Sequence, residues 1–420
     1  MGGLNTPPHD VQATTDVQAT ADVQTTTDQR PLKSLHLIDS LGMGGAETWL
    51  IELLRHWREA GGVTLDILAA SGSPGPLDDE AASLGATIHY LRFGRANLTS
   101  FAGGFRRILR EGGYDVLHDH QDHASGWHYL LGAGELPPVR VTHIHNPAYQ
   151  IRNNYGVTLR RRLTSRVGKR LVAHYATHII GTSREAITAS GFDEPEFRGT
   201  PKAALYCGID PGRFAAQPAA RGSVRTEFGW PDDAAVVLFA GRFDVSTDPG
   251  HPRIHKNSGF AVDIAIEAAR QDPQVRFLFA GLFSDATPIL RTRIEAAGLG
   301  ERIVFAGVRR DIGRLMAGAD ALLFPSRAEG LGMVAVEAQA AGLPVLASTG
   351  VPRECVVIPG LVRFLDLGDG IAAWRDALLE MLSAPRLDAA EANRQVAASA
   401  FAIANSARSL VELYGSARRG

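Results

Sequence analysis

Two α/β domains facing each other across a cleft, each a doubly wound parallel sheet, are the fold this sequence predicts. Three observations carry that expectation. From Ser34 onward, short and continuously apolar runs alternate with longer amphipathic stretches, the pattern of parallel strands buried on both faces and joined by covering helices. The alternation falls into two series, separated at 207–214 by the segment CGIDPGRF, which Gly, Pro and Asp punctuate. The chain has 420 residues, against about 150 for one domain.

The elements follow in order. Residues 1–30 repeat DVQATT, DVQATA and DVQTTT, and they contain no aromatic residue. Such a segment buries too little apolar surface to offset its chain entropy, so a disordered tail is expected. Strands of the first series are expected at 35–38, 64–69, 87–91, 115–118, 139–143, 178–181 and 203–206. The second series is expected at 236–240, 276–280, 303–306, 321–324, 344–347 and 362–365. Amphipathic stretches such as 47–60 and 258–271 supply the helices between them. The domains are therefore drawn at 31–208 and 209–385, with a helical segment at 386–420 packing back on the first. Ligands of such sheets sit beyond the carboxyl ends of the strands, so the residues just after strands are the candidates for function.

Composition narrows the classes. A formal net charge of −2 gives no global pull towards nucleic acid. The two cysteines, Cys207 and Cys355, have no CxxC partner. They form neither a disulfide framework nor a zinc spacing, and they suit a reducing cytosol. No apolar run reaches the roughly 18 residues that span a bilayer, and no secretory leader pattern opens the chain.

The first strand runs into DSLGMGGAE at 39–47. A Gly-rich loop entering a helix can offer backbone N–H groups to a phosphate. The dinucleotide fingerprint would need Gly at position 47, which is Glu, so NAD binding is disfavoured. The strand at 321–324 is followed by PSRAEGLGMVAVEA, which places Glu329 on a loop and Glu337 about two turns into a helix. The helix N-terminus suits a diphosphate, and the later carboxylate can accept from two ribose hydroxyls. Spacing alone leaves open a capped surface helix with two incidental acids. Arg242 after a strand and Lys256 before a helix are cations that could neutralise a diphosphate from one cleft; each alone also reads as a solvated charge.

Two H-x-H pairs end first-domain strands, His118/His120 and His143/His145. Two-residue spacing on a strand puts both rings on one face. Metal binding lacks an acidic third ligand, so acceptor binding is the expectation and no metal is assigned. Arg160, Arg161, Arg162, Arg166, Lys169 and Arg170 form a basic stretch on an expected helix. It reads either as a solvated face or as a contact with an anionic membrane.

In their order, LGMGGAETWL, DVLHDH, VRVTHIHN, YATHIIGTS, YCGIDPGRF, GVRRDI, FPSRAEG and EAQAAGLPV resemble glycosyltransferase family 4, the retaining group with the GT-B fold. The resemblance covers roughly 34–385, and it looks most like the branch that builds exopolysaccharides and other cell-surface polysaccharides. It implies metal-independent transfer of a hexose from a UDP- or GDP-sugar to a glycan or lipid-linked acceptor. No cofactor is implied, and the setting is cytoplasmic or peripheral on the inner membrane face. By the same resemblance, Arg242 and Lys256 would bind the donor diphosphate and Glu337 the ribose. Glu329, with amides near Leu331, Gly332 and Met333, would contact donor sugar and phosphates. Gly44 and Gly45 would close over the diphosphate, and Val308 would approach the base. His120 would lie beside sugar and acceptor, with His118 and His145 supporting that side of the cleft. His120, Glu329, Arg242 and Lys256 form the implied catalytic set. One departure stands out: the family spaces its Arg and Lys closely, whereas 14 positions separate Arg242 from Lys256 here. A loop insertion is the reading. The rival classes are a non-catalytic sugar-nucleotide-binding subunit and a sugar-nucleotide epimerase of the same fold.

Overall fold

A computed structural model describes residues 30–146, 158–215, 217 and 219–419. The expected tail lies outside the described residues except for Arg30, whose guanidinium pairs with Asp115 at 2.8 Å.

The first sheet contains β1 (Leu32–Ile38), β2 (Val63–Ala69), β3 (Ile88–Tyr90), β4 (Val116–Asp119), β5 (Val139–Ile144), β6 (His178–Gly181) and β7 (Lys202–Ala204), in the order β3-β2-β1-β4-β5-β6-β7. The second contains β8 (Ala235–Ala240), β9 (Val275–Ala280), β10 (Ile303–Gly307), β11 (Ala321–Phe324), β12 (Val345–Ser348) and β13 (Val362–Leu365), in the order β10-β9-β8-β11-β12-β13. Every pairing in both sheets is parallel. Two doubly wound domains of the GT-B fold result. In each, strand order reverses beside the first strand, at β1/β4 and at β8/β11, which opens a crevice at the carboxyl ends.

All thirteen expected strands form, with shifts at their ends. β7 stops at Ala204 rather than 206 because the chain leaves the sheet there: the Tyr206 ring packs tilted against Phe401, with centroids 4.7 Å apart. Ile209 then exchanges backbone bonds with Phe401 and Ile403, at 2.8 and 2.7 Å. The helices form where apolar residues recur at helical spacing. Helix Gly45–Ala60 buries Trp49, Leu50, Leu53, Leu54 and Trp57 against the first sheet, and Gly61, at φ 73°, ends it. Helix Ser258–Gln271 buries Ala261, Val262, Ala265 and Ala268 against the second.

The segment after 385 divides between the two domains. Helix Ala389–Ala398 places Ala392 and Val396 in the second-domain core. Helix Ile403–Arg419 places Ala407, Leu410 and Tyr414 in the first-domain core with Trp49 and Val141.

A buried ion pair ties helix Ala220–Glu227 to the second sheet. Arg225 is fully enclosed, donates to Asp320 at 2.6 Å and also satisfies the carbonyls of Ala234 and Gly318. Asp320 in turn accepts from the Val236 amide at 2.8 Å. Asp320→Ala strands a buried guanidinium and is expected to cost about 3–5 kcal/mol. Urea denaturation checks this, and a loss below about 1 kcal/mol would show that Arg225 escapes to water.

Candidate functional site between the two crevices

The second-domain half of the site grows out of β8 and β11. Arg242 follows β8 and is exposed, and its charge acts on Glu47 of the first domain and on His255. The inserted loop then folds back. Buried Asp244 accepts from the amides of His255, Lys256 and Ser258 at 2.7, 3.1 and 2.7 Å, and from the Ser258 hydroxyl at 3.1 Å. One carboxylate thus closes the loop. Lys256 returns to the crevice, where its ammonium meets Glu329 Oε1 at 2.7 Å and its stem runs beside Gly241. The structure therefore brings Lys256 to Arg242's strand end despite the insertion. Spacing could not reveal Asp244, because its partners lie across the loop.

Glu329 stands on the loop after β11. Gly332 follows at φ 91°, and helix Met333–Ala340 begins at Met333. Leu331 and Gly332 are buried, while Met333 is half-buried. Glu337 lies on this helix; burial pushes its carboxyl up to about 7, against the pull of Arg213 and Lys256. Val308 is 50% exposed just past β10, beyond a register shift between Phe305 and Gly307.

The first-domain half faces this. Gly44 and Gly45 are exposed at the start of helix Gly45–Ala60, and a Cβ added at Gly45 would meet nothing within 4 Å. A Cβ at Gly44, by contrast, would come within 2.4 Å of Glu47 Oε2, so the Glu47 carboxylate already lies against this turn. Glu47 lies in that first turn, and burial raises its carboxyl above the ordinary range. Several contacts join the halves. The Ser183 hydroxyl donates to the Gly330 carbonyl at 2.6 Å, and a Cβ at Gly330 would come within 2.1 Å of the His145 carbonyl. Arg213 pairs with Glu52, and the Glu354 carboxylate accepts from the Arg184 amide and the Tyr206 hydroxyl.

Behind this face lies a histidine cluster. His36 on β1, which the sequence shows only as one residue of an expected apolar strand, joins His118, His120, His143 and His145. His118 and His120 stack at 4.4 Å with ring planes 4° apart, and Trp49 stands edge-on to His143 at 5.4 Å. His118 has no exposed surface, because helix Ile403–Arg419 covers it through Tyr414. His118 therefore lies beneath the cleft wall, with no surface of its own on the acceptor side. His120 is 5% exposed and His145 is the half-buried member. Asp122 holds the strand ends together, accepting from the His145 amide at 2.9 Å. Burial pushes its carboxyl up to about 7. Asp122 and Asn257, at φ 50° and 58°, are the two non-glycine residues with positive φ among the described residues. Both adjoin the site, where such strain tends to gather.

Nitrogens of two triads, His36–His118–His120 and His120–His143–His145, lie within 4.8 Å of one another, and that spacing would admit a transition-metal ion. No carboxylate belongs to either triad, and the close contacts of 2.8–3.1 Å are ring-to-ring hydrogen bonds. Burial holds all five rings neutral: His36 and His145 are lowered to about 3, and the other three lie well below the ordinary value. Below about pH 6.5 the unfolded chain takes up protons that the folded cluster refuses, so stability is lost as pH falls. Each ring adds a slope of about 1.4 kcal/mol per pH unit. Urea midpoints are expected to drop steeply from pH 6.5 to 5, and less steeply in His143→Asn.

A model described as Glycosyltransferase Family 4 matches residues 43–193, and one described as Glycosyl transferases group 1 matches residues 234–384. These intervals fall on the first and second sheets. EpsF of Bacillus subtilis (strain 168), a glycosyltransferase by name, is 27% identical over 354 residues, spanning 84% of this chain and 88% of that one. The D-inositol 3-phosphate glycosyltransferase of Mycobacterium tuberculosis (strain ATCC 25177 / H37Ra) is 29% identical over 311 residues; the match spans 69% of this chain and 59% of that relative. Among solved structures, Anabaena Alr3699/HepE in complex with UDP-glucose superposes with a TM-score of 0.69–0.70 across its UDP-containing crystals. In the UDP-glucose complex the identity is 19%, with 92% of this chain and 100% of that one covered. Sucrose-phosphate synthase from Thermosynechococcus elongatus superposes at 0.66, with 20% identity over 92% of this chain and 98% of that one.

Proposed function

The chain belongs to glycosyltransferase family 4, and we propose that it moves a hexose, with retained anomeric configuration, from a UDP- or GDP-sugar to a hydroxyl of a glycan or lipid-linked acceptor in cell-surface polysaccharide synthesis. One observation carries this reading. Lys256 meets Glu329 on the loop that opens helix Met333–Ala340, and the charge of Arg242 acts on Glu47 in the first turn beside Gly44 and Gly45.

In this reading the donor diphosphate lies between Arg242, Lys256 and the amides near Leu331, Gly332 and Met333. As the bond from sugar C1 to the diphosphate oxygen breaks, negative charge builds on the leaving group. The two cations and the helix N-terminus stabilise it more than they stabilise the intact donor, which lowers the barrier. They supply the charge stabilisation that a divalent ion would otherwise bring. The acceptor hydroxyl attacks from the face that the diphosphate leaves, and its proton passes to the leaving phosphate oxygen. Glu329 orients the sugar and Lys256 together. His120 stands beside sugar and acceptor with His145 next to it, and Val308 approaches the base.

Thermal stabilisation by a panel of UDP- and GDP-hexoses identifies the donor, since a ligand of the folded state raises its apparent stability. NMR of the product then reads the anomeric configuration. Inversion, or an epimerised nucleotide sugar with no glycoside, would overturn the proposal.

Glu337 gives a pH-dependent test. Its carboxyl is raised to about 7, so the ionised form that accepts ribose hydroxyls is gained as pH rises through that value. Donor affinity is expected to increase from pH 6 to 8 and to lose this dependence in Glu337→Gln. Glu337→Ala should weaken binding by about 1.5–3 kcal/mol for each charged hydrogen bond lost. Calorimetry that finds unchanged affinity would remove the ribose role.

The basic stretch lies on helix Leu159–Tyr175, where Arg160, Arg161, Arg162, Arg166 and Arg170 are exposed and Lys169 lies 5.5 Å over the Phe192 ring. Leu159 and Leu163, 85% and 62% exposed, share its first turns, giving apolar side chains beside cations. No helix of the described residues is long and apolar enough to cross a membrane, so this surface would act by peripheral contact. Each cation near an anionic bilayer contributes about 1 kcal/mol, which salt screens. Binding to anionic vesicles is expected to weaken with salt and in a triple Gln variant of Arg160, Arg161 and Arg162, while donor affinity persists. Equal binding to neutral and anionic vesicles would refute the contact.

A further inference from the structure

Five histidines and one tyrosine make a continuous chain of hydrogen bonds. His143 Nδ1 meets His118 Nε2 at 3.1 Å, and His118 Nδ1 meets the Tyr414 hydroxyl at 2.7 Å. The same hydroxyl meets His36 Nε2 at 3.3 Å. His36 Nδ1 meets His120 Nε2 at 3.0 Å, and His120 Nδ1 meets His145 Nε2 at 2.8 Å. The members come from β1, β4, β5, the turn after each of the last two, and helix Ile403–Arg419. One end, His145, lies where its carbonyl abuts Gly330 of the other domain. The other end, His143 Nε2, is buried with no partner.

Chemistry restricts such a chain severely. A neutral imidazole has one N–H and one bare nitrogen, and a phenol has one O–H. At every ring between two neighbours, one nitrogen must donate and the other accept. The order of atoms above then admits two arrangements. In one, protons sit on every Nδ1 and bonds point from His143 through Tyr414 towards His145. In the other, protons sit on every Nε2 and all bonds run in reverse. The reverse arrangement leaves an N–H at His143 buried without an acceptor, the rarer and costlier defect. The first leaves only a bare nitrogen there.

We propose that the chain is held in the all-Nδ1–H arrangement, and that Tyr414 and His36 are positioning residues which fix the tautomers of His120 and His145 at the cleft. His120 therefore accepts from His36 at Nε2 and donates its N–H to His145, and His145 accepts at Nε2 and keeps its one N–H, on Nδ1, as a donor outside the chain. Because His143 is a closed end, no proton runs through the chain; it is a tautomer lock rather than a conduit. Tyr414 is its hinge, as the one hydroxyl that donates to one half and accepts from the other. The effect on turnover rests on the proposed place of His120 beside sugar and acceptor; the tautomer assignment does not.

The test uses the full chain with 15N-labelled histidine. Two-bond nitrogen–proton correlation at pH 7 should show five rings protonated at Nδ1, with ring protons that exchange slowly with water. Tyr414→Phe, which keeps the ring and removes the hydroxyl, should shift the His36 and His118 patterns and mix the tautomers of His120 and His145. It should lower kcat about tenfold with donor KM changed less than twofold, and the folded fraction is checked by melting. Nε2-protonated or mixed rings in the unsubstituted protein would overturn the lock. So would His120 and His145 signals unmoved by Tyr414→Phe, or a stoichiometric transition metal found by elemental analysis, which would make the rings ligands. Correct tautomers with no transferase activity on any donor would instead count against the proposed function.

Discussion

A parallel sheet that reverses its strand order leaves a gap at the point of reversal, because the connections on either side run to opposite faces. Everything at this site hangs on that constraint, applied twice. In the first sheet the reversal falls between the paired strands β1 and β4, and the Gly44–Gly45 turn and His120 emerge there. In the second it falls between the paired strands β8 and β11, and Arg242 and Glu329 emerge there. Loops that start at the same edge of each sheet can meet, and the Gly330–His145 approach is where they do.

Within that frame the charges are arranged in opposed pairs. Lys256 is bonded to Glu329, and Arg242 acts on Glu47 across the cleft. A diphosphate entering between them would compete with two carboxylates for two cations. For Lys256 the exchange would replace one charge-assisted bond by another, so its ammonium need not be held bare in a partly buried site, where an unpaired charge is costly. Asp244 keeps its role separate, since it is committed to backbone amides and the Ser258 hydroxyl rather than to either cation.

The fold was largely legible in the sequence because strands buried on both faces write themselves as unbroken apolar runs, and thirteen such runs became thirteen strands. Gly-x-Gly after a strand, with acids at 329 and 337, marked the second crevice for the same local reason. What escaped was non-local. His36 sits in LKSLHLI, where one histidine among apolar residues carries no periodic signal. Tyr414 touches His118 across 296 positions. Asp244 looks like any loop acid until the insertion has closed around it. The full burial of His118 has no local signal either, because the helix covering it comes from the far end of the chain.

That late helix has a consequence for synthesis. Leu410 and Tyr414 belong to the first-domain core, yet the whole second domain is translated before them. A nascent first domain therefore waits with Trp49 and the histidine face uncovered while some two hundred further residues emerge, about 10–40 seconds at ordinary elongation rates. During that interval its exposed apolar wall is open to chaperones or to other nascent chains. The first domain becomes complete only when the second already exists, so the order of translation couples the maturation of the two halves of the cleft.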